Sequence, residues 1–144
     1  MTPLSTELLH ASTVAIAGRA VLIEGVSGSG KSDLALRLID RGAELVSDDY
    51  TLVKRLPQGL SAAAAPNIAG KIEVRGIGIV ELPYREDMPI ALLVTLSAPP
   101  ERLPEPGQSR SIMGIEIPSI ILAGLEASAP IKVELALQRT GENR

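Results

Sequence analysis

The sequence predicts an α/β fold, and three observations carry the prediction. An octapeptide of the form G-x-x-x-x-G-K-[ST], Gly25-Val26-Ser27-Gly28-Ser29-Gly30-Lys31-Ser32, sits between a strand-like and a helix-like segment. Residues 10–55 alternate strand and helix patterns, as a βαβ unit does. The apolar content is Leu, Ile, Val and Ala, with two Tyr and no Phe or Trp, a composition that suits buried parallel strands. At 144 residues the chain is expected to form one domain, residues 1–144.

Each element has its own justification. Residues 13–16 and 20–24 are short β candidates separated by Ala17-Gly18-Arg19, a hairpin turn. The glycine-rich loop follows, then a helix over residues 31–41, where Leu34, Ala35, Leu38 and Ile39 form an apolar stripe and Asp33, Arg37, Asp40 and Arg41 lie off it. Gly42 supplies the stop. Residues 45–47 form a short strand ending at Asp48 and Asp49, and residues 51–55 continue as another. The alanine run at residues 62–65 leads into Pro66 and is assigned no element. Ile72-Glu73-Val74-Arg75 alternates with period two, and a further strand-like run spans residues 79–82. Residues 90–96 read as a fully buried strand. Pro99, Pro100, Pro104, Pro106 and Gly107 mark a surface loop. Residues 117–122 fit either strand or loop, and residues 131–139 fit a terminal helix.

Composition excludes several functions. A net charge of −3 and the lack of aromatic stacking residues argue against nucleic-acid binding. Without cysteine there are no disulfides or thiolate metal sites. No apolar run reaches the roughly 18 residues of a membrane helix, and residues 1–10 do not read as a secretory signal. A soluble, cytoplasmic protein is expected, with no membrane partner.

The loop is the strongest chemical signal. A strand entering it and a helix leaving it make backbone N–H groups and the positive end of a helix dipole converge on a polyphosphate. Lys31 is placed to reach the β- and γ-phosphates and Ser32 to ligate Mg²⁺. If residues 20–24, 31–41 and 45–47 form a βαβ unit, its strands are parallel and Asp48 and Asp49 emerge beside the phosphates; a solvated turn pair is the plainer alternative. Phosphoryl transfer needs a phosphate cradle, a metal, a base and positive charge. The aspartates offer the base, and Arg75 or Arg85 the cation. Glu73 and Arg75 share one face of their strand, which also fits a surface ion-pair face. His10, the only histidine, reads on its own as a terminal surface residue, and Tyr50 and Tyr84 as packing residues. A small-molecule kinase and a non-catalytic nucleotide- or pyrophosphate-sensing module are among the readings these residues leave open.

Together these segments resemble the catalytic domain of the HPr kinase/phosphorylase family, bacterial enzymes that phosphorylate a seryl residue of the phosphocarrier protein HPr. The likeness runs from His10 to Arg85. It includes G-x-S-G-x-G-K-S at residues 25–32, Arg41-Gly42 after the helix, L-V-x-D-D at residues 45–49, E-[IV]-R-G-[LI]-G-I at residues 73–79, and Arg85-Glu86-Asp87. The resemblance implies a P-loop-containing kinase domain with a mixed central sheet and few helices, using Mg²⁺ and ATP or pyrophosphate. It implies that His10 is an active-site histidine, Lys31 contacts phosphate, Ser32 and Glu73 hold Mg²⁺, Asp48 supports the site, Asp49 is the base and Arg85 is the catalytic arginine. It also implies HPr or a homologue as partner and a homo-oligomer, a hexamer in the family. Two departures stand out. A sequence of this length is expected to leave no room for the N-terminal accessory domain of larger members, and residues 123–129 lack the arginine of the family's P-V-x-x-G-R-N motif. Kinase activity is therefore better supported than phosphorylase activity.

Overall fold

Alternation of side chains along the strand that feeds the glycine-rich loop sets the layering of the molecule. A computed structural model describes residues 3–97 and 102–142; Pro99 and Pro100 of the expected surface loop lie outside the described residues. The elements are β1 (Ser5–Leu9), β2 (Ser12–Ile16), β3 (Arg19–Gly25), α1 (Lys31–Asp40), β4 (Glu44–Ser47), β5 (Thr51–Leu56), β6 (Gly59–Ala64), β7 (Lys71–Val74), β8 (Gly78–Glu81), β9 (Met88–Leu96), β10 (Ser109–Ile112), β11 (Ile115–Leu122) and α2 (Ala129–Glu142). Val21 and Ile23 of β3 turn to one face and pack with Leu34 and Leu38 of α1 and Val133 and Leu137 of α2. Ala20 and Leu22 turn to the other and meet Val53, Leu60, Ala62, Ile112 and Ile117. The result is a mixed sheet with both helices on one face and a second β layer on the other, so the expected α/β class with few helices is what the chain adopts.

The strand order β1-β5-β6-β9-β3-β2-β4, with β11 beside β9 and β10 beside β11, explains where the site forms. β9 pairs parallel with β3, and β11 parallel with β9. β2 pairs antiparallel with both β3 and β4. β3 and β4 therefore run in the same direction, as the βαβ reading requires, but they are not neighbours, because β2 lies between them. The C-terminal ends of β3, β4, β9 and β11 and the start of β2 all reach one edge of the sheet.

The β2–β3 hairpin closes through Ala17 (φ 52°) and Gly18 (φ 77°), two consecutive left-handed residues that match strand twist. Residues 5–9, given no strand by the sequence, form β1, an edge strand that among the described residues pairs only with β5; Leu8 on it is exposed, so it lacks an amphipathic pattern. The alanine run, assigned no element from the sequence, lies largely in β6, where Ala62 and Ala63 are buried and small side chains let the β layer approach. Residues 117–122 are strand, part of β11, and β10 pairs with it as a hairpin. Among the described residues no helix is long and apolar enough to cross a membrane.

Candidate active site

The glycine-rich loop follows β3 directly and hands over to α1 at Gly30, whose φ of 98° is left-handed. No side chain caps α1, so the first-turn N–H groups are left for an external acceptor. Among the described residues, Ser29 Oγ is buried without a hydrogen-bond partner. Lys31 is buried and its Nζ folds back onto the loop, donating to the carbonyls of Gly25 (3.0 Å) and Val26 (3.4 Å). A P-loop with an open helix N-terminus, an unpartnered buried hydroxyl and an arched lysine fits a polyphosphate.

Both aspartates arrive at this edge from β4. Asp48 is buried and Ser32 Oγ donates to its Oδ1 at 2.6 Å, which joins the end of β4 to the first turn of α1. The same Oδ1 accepts from Ser12 Oγ at 2.9 Å, and Oδ2 accepts from the Glu73 N–H at 3.0 Å. Asp49 has φ 65° and is spanned by a Tyr50 N–H to Asp48 carbonyl bond of 2.7 Å. It therefore occupies the centre of a γ-turn of the rare positive-φ form, a strained conformation of the kind stored at functional sites. Ser12 Oγ accepts the Asp49 N–H at 3.0 Å. One fully buried hydroxyl thus ties both aspartates to the start of β2.

His10 is presented in a matching way. The Ala11 N–H bonds the Leu9 carbonyl at 3.0 Å, placing His10 at the apex of a three-residue turn between β1 and β2. Because Leu9 pairs with Thr51 in the β1–β5 register, this turn stands beside the one at Asp49. His10 Nε2 lies 2.9 Å from Asp49 Oδ1, and its ring stacks on Tyr50 with centroids 4.8 Å apart and planes 22° apart. Thr51 Oγ1 locks the two turns by donating to the Ala11 carbonyl at 2.8 Å.

Of the residues singled out in the sequence, His10, Lys31, Ser32, Asp48 and Asp49 therefore converge. Glu73 reaches the cluster through its backbone N–H, while its side chain is exposed. Arg75, just beyond β7, is exposed in the turn to β8. Arg85 is not brought to the aspartates: its Nη1 pairs with Glu44 Oε1 at 2.9 Å, at the opposite end of β4. Ser32 and the carboxylates of Asp48 and Glu73 are hard oxygen donors, the set that suits Mg²⁺.

Sequence reasoning missed three contributors. Ser12 carries no motif, and only its place two residues after His10 hints at its role. Tyr50 packs not into the core but onto His10, whereas Tyr84 packs against Gly70. The third is Glu24, the residue before Gly25, which takes both Nη groups of Arg110 and the Thr95 hydroxyl at 2.8 Å. Burial acts to raise the Glu24 pKa, but the hydrogen bonds from Arg110 and Thr95 and the Arg110 charge outweigh it and hold the carboxyl below its ordinary value. Glu24, Arg110, Leu93, Ile112 and His10 line a cleft of about 440 Å³ beside the aspartates.

Known proteins resemble this chain in sequence and fold. The family model for the HPr serine kinase C-terminal domain matches residues 3–131. HPr kinase/phosphorylases of Burkholderia lata and Burkholderia cenocepacia are each 33% identical over 145 aligned residues, covering 92% of this chain and 45% of theirs. The chain thus spans about half the length of the curated relatives it matches. The solved HPr(Ser) kinase/phosphatase of Coxiella burnetii superposes with a TM-score of 0.80 at 29% identity, over 95% of this chain and 92% of that one. With its P-loop, paired aspartates and sheet order, the chain belongs to the HPr serine kinase C-terminal domain family.

Proposed function

We propose that this chain is a protein-serine kinase domain that transfers a phosphoryl group from ATP or pyrophosphate to a seryl residue of the phosphocarrier protein HPr or a homologue. The observation that supports it most is the meeting, at one sheet edge, of a phosphate loop and two differently held aspartates, one locked and one exposed beside a histidine. The loop N–H groups and Lys31 cradle the donor phosphates. Ser32 and Glu73, with Asp48 in support, would hold Mg²⁺, whose chemistry when bound would be charge neutralisation on the transferring group. Asp48, held by three hydrogen bonds, orients Ser32. Asp49, exposed and held through one carboxylate oxygen by His10, takes the proton from the acceptor hydroxyl as that oxygen attacks the terminal phosphorus and the leaving phosphate stays in the cradle. His10, fixed by Tyr50, orients the Asp49 carboxylate. Lys31 supplies the positive charge in this proposal, and Arg85, held on Glu44, is given no step.

The reverse step uses the same groups: inorganic phosphate attacks the phosphoserine, Asp49 returns the proton to the serine oxygen, and pyrophosphate leaves. Without an arginine in residues 123–129, this direction is the slower one. The reading places the protein in the cytoplasm as a homo-oligomer, a hexamer by family likeness. The test is to incubate the chain with HPr, Mg²⁺ and either donor and to map phosphate on HPr. Phosphoserine is the expected product. Donor binding without any transfer to HPr, or transfer only to small acceptors, would sink the proposal.

A further inference from the structure

A nucleotide whose terminal phosphate lies beside Asp49 must send its base away from that residue. The acceptor-side groups occupy the β2 and β4 flank of the P-loop. On the other flank β9 and then β11 lie beyond β3, both parallel to it, so the turn after β11, residues 123–128, arrives at the same sheet edge as the loop. This turn is packed on the loop itself. A Cβ at Gly30 would come within 2.8 Å of Leu125 Cδ2, and one at Gly124 within 3.1 Å of the Ser29 carbonyl oxygen. From α1, Arg37 donates to the carbonyls of Gly124 and Glu126, the latter at 2.9 Å, and so clamps the residues on either side of Leu125. Asp33 Oδ2 in turn accepts from Arg37 Nε at 2.9 Å and sets the guanidinium. Despite this anchoring, Leu125 is 71% exposed.

A leucine fixed through both neighbouring carbonyls, touching the phosphate loop at one end and otherwise open, is a built apolar platform. We infer that Leu125, held by Arg37, is the surface on which the base of a nucleoside di- or triphosphate rests. The chain has no Phe or Trp, Tyr50 is engaged with His10 and Tyr84 with Gly70, so the platform is aliphatic. Pyrophosphate, which has no base, makes no use of it. Leu125 is thereby a donor-discriminating residue, and the inference rests on the nucleotide-dependent kinase reading above.

Calorimetric titration of the wild type, Leu125→Ser and Arg37→Met with ATP, ADP and pyrophosphate, each with Mg²⁺, tests it. Losing the partial burial of one leucine side chain weakens ATP and ADP about tenfold in Leu125→Ser, while pyrophosphate binds as in the wild type and reports an intact loop. Arg37→Met shifts the nucleotides in the same direction and spares pyrophosphate. Equal weakening of all three ligands in both variants, or unchanged ATP affinity in Leu125→Ser, overturns the inference. A wild type that binds neither nucleotide nor pyrophosphate refutes the kinase reading itself.

Discussion

Replacing Ser12 with alanine probes the site through a residue that touches no substrate. Its hydroxyl is fully buried, donates to Asp48 Oδ1 at 2.9 Å and accepts the Asp49 N–H at 3.0 Å. The substitution removes one hydrogen bond to a charged group and leaves a part-buried N–H unsatisfied; Asp48 Oδ1 keeps its bond from Ser32. Together these losses cost about 3 kcal/mol. For a chain of this length that lowers Tm by about 10 °C, measurable by calorimetry. The kinetic effect follows from the turn: once Asp49 loses its N–H anchor, its positive-φ conformation is no longer held, and misplacement of the base lowers the transfer rate about 100-fold with donor affinity preserved. A Ser12→Ala protein that melts and phosphorylates like the wild type would refute the claim that this hydroxyl positions both aspartates.

Other perturbations separate the parts of the site. Lys31→Met removes the loop's buried ammonium and abolishes measurable binding of pyrophosphate in a titration. Tyr50→Leu unstacks His10 and lowers the transfer rate about fivefold, an effect of about 1 kcal/mol in the range of aromatic pairing; Tyr50→Phe restores it, since the ring and not the hydroxyl makes the stack. Glu24 has a folded pKa below its unfolded value, so its ion pair with Arg110 adds stability above the unfolded carboxyl pKa and loses it as pH falls through the folded one. Denaturant titrations of wild type and Glu24→Gln should therefore differ at neutral pH and converge in acid.

How much of this was legible in the sequence depends on whether the determining contacts are local. The P-loop was, because its glycines, lysine and serine act through backbone within eight residues and the next helix turn. The arrival of Asp48 and Asp49 was, because the direction of β4 follows from the helix that precedes it; the intervening β2 was not, since hairpin and crossover patterns do not say which strand sits where. β6 escaped notice because alanine carries no strand preference and is chosen there for close packing between layers. The His10–Tyr50 stack depends on the β1–β5 register, and β1 as an exposed edge strand leaves no hydrophobic pattern. Arg85 illustrates the same limit. Its tripeptide matched a motif, but its side chain follows the backbone bridge that ties the Arg85 N–H to the Leu45 carbonyl at 2.8 Å and so meets Glu44.

Asp49→Asn is the most direct test of the central claim, that the exposed aspartate works on the acceptor while the loop grips the donor. The change is nearly isosteric and leaves Ser12, Ser32 and Asp48 in place. Measured side by side on the same protein, affinity for ATP should match the wild type, and phosphate transfer to HPr should fall by the 100- to 10,000-fold typical of losing a general base. Transfer at the wild-type rate with Asn at this position would contradict the account.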